Sequence, residues 1–220
     1  GPTGSGKELV ARKIHKLSKR QKQPFIILNG ALLDIQKYEL ELFGEEKDNS
    51  SITYGVLEKA SGGTLLIDEI SEVPLETQAK ILRVLIDQKF KRINSNHDIN
   101  VDVRIICSSS KDIKNEIELG NFREDLYHRL NVFEINIEPL KNRASDIPLL
   151  VNYFAEKISS NYNLKKLEIN VSDNYLINYD WPGNIRELRN LIERIAILSP
   201  DNNDKISNII KESLKTPDIK

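Results

Sequence analysis

The chain opens with a glycine-rich turn that runs directly into a helical pattern, and this feature constrains its fold most. Residues 1–7 read G-P-T-G-S-G-K, which fits the G-x4-G-K spacing of a phosphate-binding loop. Glycines let successive backbone N–H groups point into one cradle, and the start of the following helix adds positive potential. We predict that the loop and the residue after it bind a nucleotide: Gly1, Pro2, Thr3, Gly4, Ser5, Gly6, Lys7 and Glu8.

Two features of this loop depart from the general motif. Glu8 stands where a Ser or Thr normally binds Mg²⁺, so the metal would need other ligands. The loop also normally follows a buried β-strand, which this sequence does not include. Taken alone, the turn has a second interpretation, as a glycine-rich connection before an ordinary helix.

A pair of carboxylates follows the second short apolar run of the chain. Residues 64–67 read T-L-L-I, a buried-strand pattern, and Asp68 and Glu69 come directly after it. In open α/β sheets this end of a strand faces the ligand crevice. Asp68 is suited to hold Mg²⁺ through water, and Glu69 to polarise an attacking water. A solvated strand end is the alternative, but the pair together with the loop indicates a P-loop NTPase.

Apolar runs and helical patterns alternate through the first two thirds of the chain. Strands are predicted at residues 24–28, 64–67, 101–107 and 132–137, and helices at 7–20, 38–43, from 74 onward and at 121–130. On the two longest helices we expect Val10, Ile14 and Leu17, and Leu75, Ala79, Leu82 and Ile86, to form the apolar faces. The polar stretch 45–53 is predicted to be a loop. This pattern predicts an α/β fold with a three-layer, mostly parallel sheet.

The last third of the chain has a helical pattern only. Helices are expected from residue 145, near 172–178, and from Asn184, which we predict to cap the last helix. Residues after 199 are polar and weakly patterned. We therefore predict an α/β nucleotide-binding subdomain over residues 1–139, a small helical lid subdomain over 140–199, and a linker over 200–220.

Composition excludes several other classes of protein. Thirty per cent of the 220 residues are charged, but the net charge is only -1, which argues against coating nucleic acid by charge alone. The sequence contains no run of about 18 apolar residues, so no membrane span is predicted. A single cysteine, Cys107, fits a reducing cytosol, and we expect a cytoplasmic protein. The three histidines have no neighbour at metal-ligand spacing, so no zinc site is predicted.

Five blocks of sequence, in chain order, resemble the AAA+ domain of sigma-54-dependent transcription activators. They are residues 1–8, ELFG at 41–44, GGTLLIDEI at 62–70, FREDLYHRLN at 122–131 and WPGNIREL at 181–188. The resemblance covers residues 1 to about 198, and in that family Glu also follows the loop lysine, as Glu8 does here. It implies a P-loop NTPase (AAA+) fold, ATP and Mg²⁺ as cofactors, and rings, usually hexamers.

The resemblance also implies roles for four further residues. Asn29 matches the residue that holds the catalytic glutamate, here Glu69, inactive until the ligand state changes. Arg123 and Arg129 match arginine fingers that reach the γ-phosphate bound by a neighbouring subunit. Arg186 matches a lid residue that senses the γ-phosphate. Without the resemblance, exposed ion pairs and an ordinary turn would explain all four residues.

Two segments depart from the pattern of these activators. Residues 45–54 read E-E-K-D-N-S-S-I-T-Y, where the family has the longer loop carrying GAFTGA that contacts sigma-54. This difference argues against sigma-54 remodelling and contact with RNA polymerase. Ser110 stands where an Asn normally senses the γ-phosphate, and its hydroxyl has a shorter reach.

The missing GAFTGA loop makes the chain most similar to NtrX-type response regulators. Their phosphoacceptor receiver and DNA-binding helix-turn-helix would lie outside these residues. Three functions then compete: a ring-forming ATPase of a two-component regulator, a non-hydrolysing module in which nucleotide gates oligomerisation, and another AAA+ machine such as an unfoldase. The last needs an aromatic-hydrophobic pore loop, for which residues 45–54 offer only Tyr54.

Overall fold

The computed structural model of the chain describes residues 1–32, 35–47, 51–164, 167–170, 174–199 and 205–214. These residues form two compact units. One contains Gly1 and Lys7–Asn136, and the other contains Pro2–Gly6 and Ile137–Lys220. None of the helices in the described part of the chain combines the length and apolar character that a bilayer crossing needs.

A parallel sheet forms the centre of the first unit. The strands of this unit are β1 (Phe25–Asn29), β2 (Gly44–Lys47), β3 (Ser51–Tyr54), β4 (Thr64–Asp68), β5 (Lys89–Phe90), β6 (Ile99–Asn100) and β7 (Arg104–Cys107). Strands β1, β4 and β7 pair in parallel in that order, with Asn29 opposite Asp68 and Ile67 opposite Cys107. The carboxyl ends of these strands therefore lie at one edge, which confirms the predicted α/β architecture.

In the described part of this unit, six α-helices accompany the sheet. They are α1 (Lys7–Lys16), α2 (Ile35–Phe43), α3 (Val56–Lys59), α4 (Leu75–Asp87), α5 (Ile113–Glu118) and α6 (Glu124–Leu130). The core contains fully buried side chains from both helices and strands, including Leu42, Leu57, Leu65, Ile67 and Leu126. Burial of such a side chain contributes about 1.5–3 kcal/mol. The short helix α5 was not predicted from the sequence.

The polar stretch 45–53 was predicted to be a loop, and this prediction is wrong. Strands β2 and β3 pair antiparallel, with Gly44 opposite Tyr54, as a hairpin whose residues 48–50 lie outside the described residues. Every residue of β3 is exposed, so this strand has no buried face that a hydrophobic pattern could indicate. Arg92 supports its base: the guanidinium binds both carboxylate oxygens of Glu58 at 2.8 and 2.6 Å and lies over the Tyr54 ring.

Two helices differ from their predicted limits or faces. Helix α1 ends at Lys16 instead of residue 20, and Leu17 is exposed while His15 is buried, with Nδ1 3.0 Å from Thr64 Oγ1. Helix α4 buries Gln78 and Ile81, and its predicted apolar residues Leu75 and Ile86 are exposed. Gln78 is buried because its amide donates to the carbonyls of Val73 and Asn121.

The predicted strand at residues 132–137 does not form. The described residues provide no ladder partner for this segment, and Val132 and Phe133 are 86% and 83% exposed. The third predicted strand begins at Arg104, three residues later than expected. An alternating apolar pattern is thus insufficient for a strand, because the backbone also needs a pairing edge.

The second unit is helical, as predicted. After a 3₁₀ stretch at Leu140–Asp146, its helices are α7 (Ile147–Asn161), α8 (Asn174–Ile177), α9 (Asn184–Leu198) and α10 (Ile206–Ser213). Phe154, Ile158, Trp181, Leu188 and Ile192 are among the residues of its separate core. Residues 172 and 173 of the predicted helix at 172–178 lie outside the described residues.

Two details of this unit correct the sequence predictions. Residues 206–213, predicted to be linker, form α10, because Ile206 and Ile210 are buried on one face of that helix. The N-cap of α9 is Gly183 and not Asn184. Asn184 instead has a left-handed backbone (φ 53°) and a buried side chain that bonds other segments.

Candidate functional site

A lysine and a glutamate form an ion pair where the first unit begins and where β4 ends. Lys7 Nζ lies 3.0 Å from Glu69 Oε1, with both side chains largely buried (10% and 14% exposed), and it also donates to the Gly1 carbonyl at 2.9 Å. Glu69 has a left-handed backbone (φ 54°), which is uncommon outside glycine. The turn after β4 therefore aims this carboxylate at the loop lysine.

Serines that follow β7 hold both carboxylates of the acidic pair. The Ser110 N–H and hydroxyl each donate to Glu69 Oε2 at 2.7 Å. The Ser108 hydroxyl donates to Asp68 Oδ1. Because β4 and β7 are neighbours in the parallel sheet, their carboxyl ends bring these serines beside the two acids.

The surroundings of Glu69 keep it ionised. Burial alone would raise the pKa of its carboxyl group, but the Ser110 hydrogen bonds and Lys7 outweigh burial and leave the pKa below its usual value. Glu69 is therefore an anion at neutral pH, and its two oxygens are occupied by different partners. To polarise a water it would have to leave at least one of them.

Asn29 lies opposite Asp68 in the β1–β4 ladder but does not bond Glu69. Its Oδ1 accepts a hydrogen bond from the Ala31 N–H at 3.0 Å. Among the described residues, Lys7 and Ser110 are the hydrogen-bonding partners of the Glu69 carboxylate. The structure thus gives Ser110 the contact that the sequence assigned to Asn29, and the role of Asn29 in a nucleotide-bound state stays a prediction.

The rest of the glycine-rich loop, Pro2–Gly6, packs within the second unit. Gly4 and Gly6 both have positive φ (75° and 103°), a conformation that costs glycine little. The Asn184 amide donates to the Thr3 carbonyl at 2.9 Å, and Arg143 Nη2 donates to the Ser5 carbonyl at 2.7 Å. Sequence reasoning missed both contacts, because Asn184 was interpreted as a helix cap.

The remaining predicted site residues are placed as follows. Arg186 is exposed on α9, with its Cβ 3.2 Å from where a Cβ on Gly4 would lie. Glu8 faces away from the Lys7–Glu69 pair, since its carboxylate accepts from Arg12 Nε at 2.7 Å one turn along α1.

The two candidate arginine fingers are exposed and belong to the segment of α6. Arg123 forms a bidentate pair with Asp125 (3.0 and 2.7 Å), and this hydrogen bonding lowers the pKa of Asp125. Arg129 Nη2 donates to the Leu85 carbonyl at 3.2 Å. The Arg123 N–H is fixed by Gln78 Oε1 at 2.9 Å, so the backbone that presents the guanidinium is anchored.

The residue types present in each unit fit a Mg²⁺–nucleotide. The loop has the positive-φ glycines and the lysine that a phosphate cradle needs. The described residues contain no cluster of three or more His, Cys, Asp or Glu side chains at metal-binding distances. Mg²⁺ needs no such cluster, because it binds through one or two carboxylates together with waters and phosphate oxygens, and Asp68 would supply a carboxylate.

Comparisons with known proteins agree with this geometry. Residues 1–136 match the family described as the sigma-54 interaction domain, and residues 141–218 match the AAA+ ATPase lid domain. The nitrogen assimilation regulatory protein NtrX of Azorhizobium caulinodans is 45% identical over 221 residues, covering 100% of this chain and 48% of that protein.

Solved structures of NtrX from Brucella abortus are also similar. The complex with ADP has a TM-score of 0.88 at 42% identity, covering 100% of this chain and 51% of that one. The complex with ATP has a TM-score of 0.84 at 42% identity, covering 96% and 50%. The chain thus spans about half the length of the relatives it matches. The resemblance and the P-loop NTPase fold are both confirmed.

Proposed function

Because this chain belongs to the sigma-54 interaction domain family, with an AAA+ ATPase lid domain following it, we propose that it binds and hydrolyses ATP as the core of a transcription-regulating response regulator. The observation that carries the proposal is Glu69, ionised and held between Lys7 and Ser110. A lysine on the phosphate loop beside an acid at a strand end is the arrangement that phosphoryl transfer requires.

ATP would rearrange this cluster in a defined way. Phosphate oxygens compete with Glu69 for the Lys7 ammonium, and release of that ion pair frees Glu69 Oε1 to accept a proton from water. Asp68 would hold Mg²⁺, and the metal neutralises the negative charge of the phosphates. Ser110 still holds Glu69 Oε2, so it orients the carboxylate while the other oxygen acts.

The arginine fingers support a site that is completed by a second copy of the chain. Arg123 and Arg129 are both exposed. Arg123 binds Asp125, and Arg129 donates to the Leu85 carbonyl, so neither is held by Lys7 or Glu69. A guanidinium supplied by a neighbour stabilises the charge that develops in the transition state. We therefore propose self-association into a ring, with ATP bound between neighbouring copies.

Loss of sigma-54 contact is part of the same proposal. The segment that bears GAFTGA in these activators is replaced here by the short strands β2 and β3, and the residues between them in the sequence are Asp-Asn-Ser. The described residues of β2 and β3 are mostly charged or polar, and the sequence of residues 45–54 contains no phenylalanine that could insert into a partner. DNA binding would reside in a helix-turn-helix beyond this chain.

A second candidate function is a nucleotide-gated scaffold without hydrolysis. One observation favours it: both oxygens of Glu69 are occupied, and Ser110 occupies the position of a γ-phosphate sensor. ATP would then only set the oligomeric state and so bring attached domains together.

The test is ATP turnover measured against protein concentration, with three variants. We expect turnover to rise cooperatively with concentration, Lys7→Ala to lose ATP binding, and Glu69→Gln to lose turnover by about a hundredfold or more. Arg123→Ala should keep ATP binding and lose turnover. Arg104→Ala is the matched control, because this exposed arginine begins β7, away from the carboxyl ends of the strands.

Mixing the two inactive variants tests the shared site directly. In an equal mixture of Glu69→Gln and Arg123→Ala, about a quarter of interfaces (one half times one half) combine an intact Glu69 with a neighbour's intact Arg123. Recovery of about that fraction of turnover supports the ring ATPase. ATP binding and association without turnover in the wild type would instead establish the scaffold.

A further inference from the structure

Three consecutive residues of the phosphate loop are held by residues that the proposed chemistry does not use. The carbonyls of Thr3 and Ser5 accept hydrogen bonds from Asn184 and Arg143, at 2.9 and 2.7 Å. Between them, Gly4 lies so close to Gly183 that an added Cβ would be 2.4 Å from the Gly183 carbonyl oxygen. All of these residues belong to the second unit.

Both polar atoms of the Asn184 side-chain amide form hydrogen bonds. It is 3% exposed, and its Oδ1 accepts from the Leu140 N–H at 2.8 Å while its Nδ2 donates to the carbonyls of Thr3 (2.9 Å) and Pro182 (3.4 Å). Its left-handed backbone is one that Asn tolerates better than most side chains. One buried amide therefore joins the loop, the start of α9 and the start of the 3₁₀ stretch.

Arg143 reaches the loop from a kink in that 3₁₀ stretch. Its backbone is non-helical (φ -133°, ψ 48°), which interrupts the helix and directs the side chain to Ser5. Nη1 lies 3.7 Å from Asp146 Oδ2. Within the described part of the chain, Arg143 Nε and the Ser5 hydroxyl are buried without a hydrogen-bond partner. Burying polar groups without a partner costs free energy. The contact between Arg143 and the loop is therefore part of a buried arrangement and differs from a solvent-exposed pair.

The direction of the loop carbonyl groups affects how well the loop can bind an anion. A carbonyl oxygen that faces a bound phosphate repels it, whereas a backbone N–H attracts it. Asn184 and Arg143 are both donors, and they take up the carbonyl oxygens of alternate loop residues. Bonds of this kind keep those oxygens turned toward Asn184 and Arg143 and leave the loop shaped for an anion.

We propose that Asn184 and Arg143 are positioning residues that fix the anion-binding shape of the phosphate loop before nucleotide arrives. This inference rests on the proposed nucleotide binding for its effect on affinity, but the anchoring itself does not depend on it. Neither residue is a catalytic residue, since both act through the loop carbonyls.

Asn184→Asp is the informative substitution. It preserves size, tolerance of a left-handed backbone and the acceptor for Leu140, but it replaces the donor to Thr3 by an oxygen that repels that carbonyl. Asn190→Asp is the matched control, because it makes the same change at an exposed position of α9. Arg143→Gln removes the longer reach to Ser5, and Arg143→Lys, which keeps a cationic donor, should rescue part of the effect.

Two measurements on the purified chain decide the proposal. Hydrogen–deuterium exchange of the folded protein, without nucleotide, should be faster in the peptide covering residues 1–9 for Asn184→Asp and Arg143→Gln, and unchanged for Asn190→Asp. Titration with a fluorescent ATP analogue should show at least a tenfold loss of affinity for the same two variants. The titration is run well below the unfolding temperature of each variant.

The outcomes separate this proposal from the proposed function. Unchanged loop exchange in Asn184→Asp and Arg143→Gln overturns the anchoring. A lower unfolding temperature with wild-type ATP affinity also overturns it, because the residues would then be merely structural. If the wild-type chain binds no ATP, the proposed function fails, while faster loop exchange in the variants still supports the anchor.

Discussion

Gly4→Ala is expected to detach the phosphate loop, and the structure gives the magnitude. Gly4 has φ 75°, where an L-residue costs about 1–2 kcal/mol. The added Cβ would lie 2.4 Å from the Gly183 carbonyl oxygen, and ordinary contact begins at 3.4 Å, so the two backbones must separate by about 1.0 Å. No rotamer relieves this overlap, because the obstacle is backbone and alanine has no χ angle.

The balance of energies decides how the protein responds. Two hydrogen bonds, from Asn184 and Arg143, hold the loop, and each contributes about 0.5–1.5 kcal/mol net. The steric overlap adds to the backbone strain of about 1–2 kcal/mol, and we expect the two together to exceed that sum of about 1–3 kcal/mol. The loop should therefore move away from Gly183 instead of remaining strained. The loss in free energy of unfolding is then limited to about 1–3 kcal/mol, while ATP affinity falls at least tenfold.

Gly120→Ala is the control for this prediction. Gly120 has the same φ of 75°, but a Cβ there would meet no atom of the described residues within 4 Å. We expect a stability loss of about 1–2 kcal/mol by urea unfolding and an unchanged affinity for a fluorescent ATP analogue. If Gly4→Ala binds the analogue like the wild type, and loses no more stability than Gly120→Ala, the reasoning from the Gly183 contact is refuted.

Two further predictions concern titratable groups. Ser110→Ala should raise the pKa of Glu69, because it removes one of the hydrogen bonds that lower this pKa in the folded wild type. A carboxyl group whose pKa is lower in the folded state stabilises the protein above its unfolded pKa, and this stabilisation is lost as the pH falls through the folded pKa. The free energy of unfolding, measured across pH, should be lower for the variant than for the wild type at neutral pH. This difference should shrink in acid, and a difference that stays constant with pH would contradict the prediction. Burial raises the pKa of the Cys107 thiol to about 12, so little of it is the reactive thiolate at mildly alkaline pH. Iodoacetamide should therefore label Cys107 slowly in the folded chain and rapidly after denaturation, and mass spectrometry measures both rates.

Much of the fold could be predicted because its central strands come from continuous apolar runs, and β4 is buried along most of its length. The runs that became β1 and β4 are continuous apolar segments bounded by polar residues, which is a local signal. The β2–β3 hairpin has no such signal, because β3 is exposed throughout and is stabilised by Arg92 at the hairpin base. Residues 132–137 show the converse error, since their apolar pattern lacks a pairing edge in the described chain.

The acidic pair could be located from sequence, but its contacts could not. The predicted strand end indicated where Asp68 and Glu69 would lie, and in the structure Glu69 forms an ion pair with Lys7. Which residue bonds Glu69 depends on side-chain geometry at the ends of two strands, where Ser110 lies within reach and Asn29 turns to its own backbone. Asn184 was hidden by its position, because an Asn before a helix usually caps it.

The two partners of Glu69 divide its carboxylate between two parts of the first unit. One carboxylate oxygen is tied to the phosphate loop through Lys7, and the other to the end of β7 through Ser110. Under the proposed function, a phosphate that binds Lys7 would release the first oxygen, while Ser110 would keep the second in place. A ligand that leaves the ion pair of Lys7 and Glu69 intact would then be bound without freeing the carboxylate, so binding and release of Glu69 would be distinct steps.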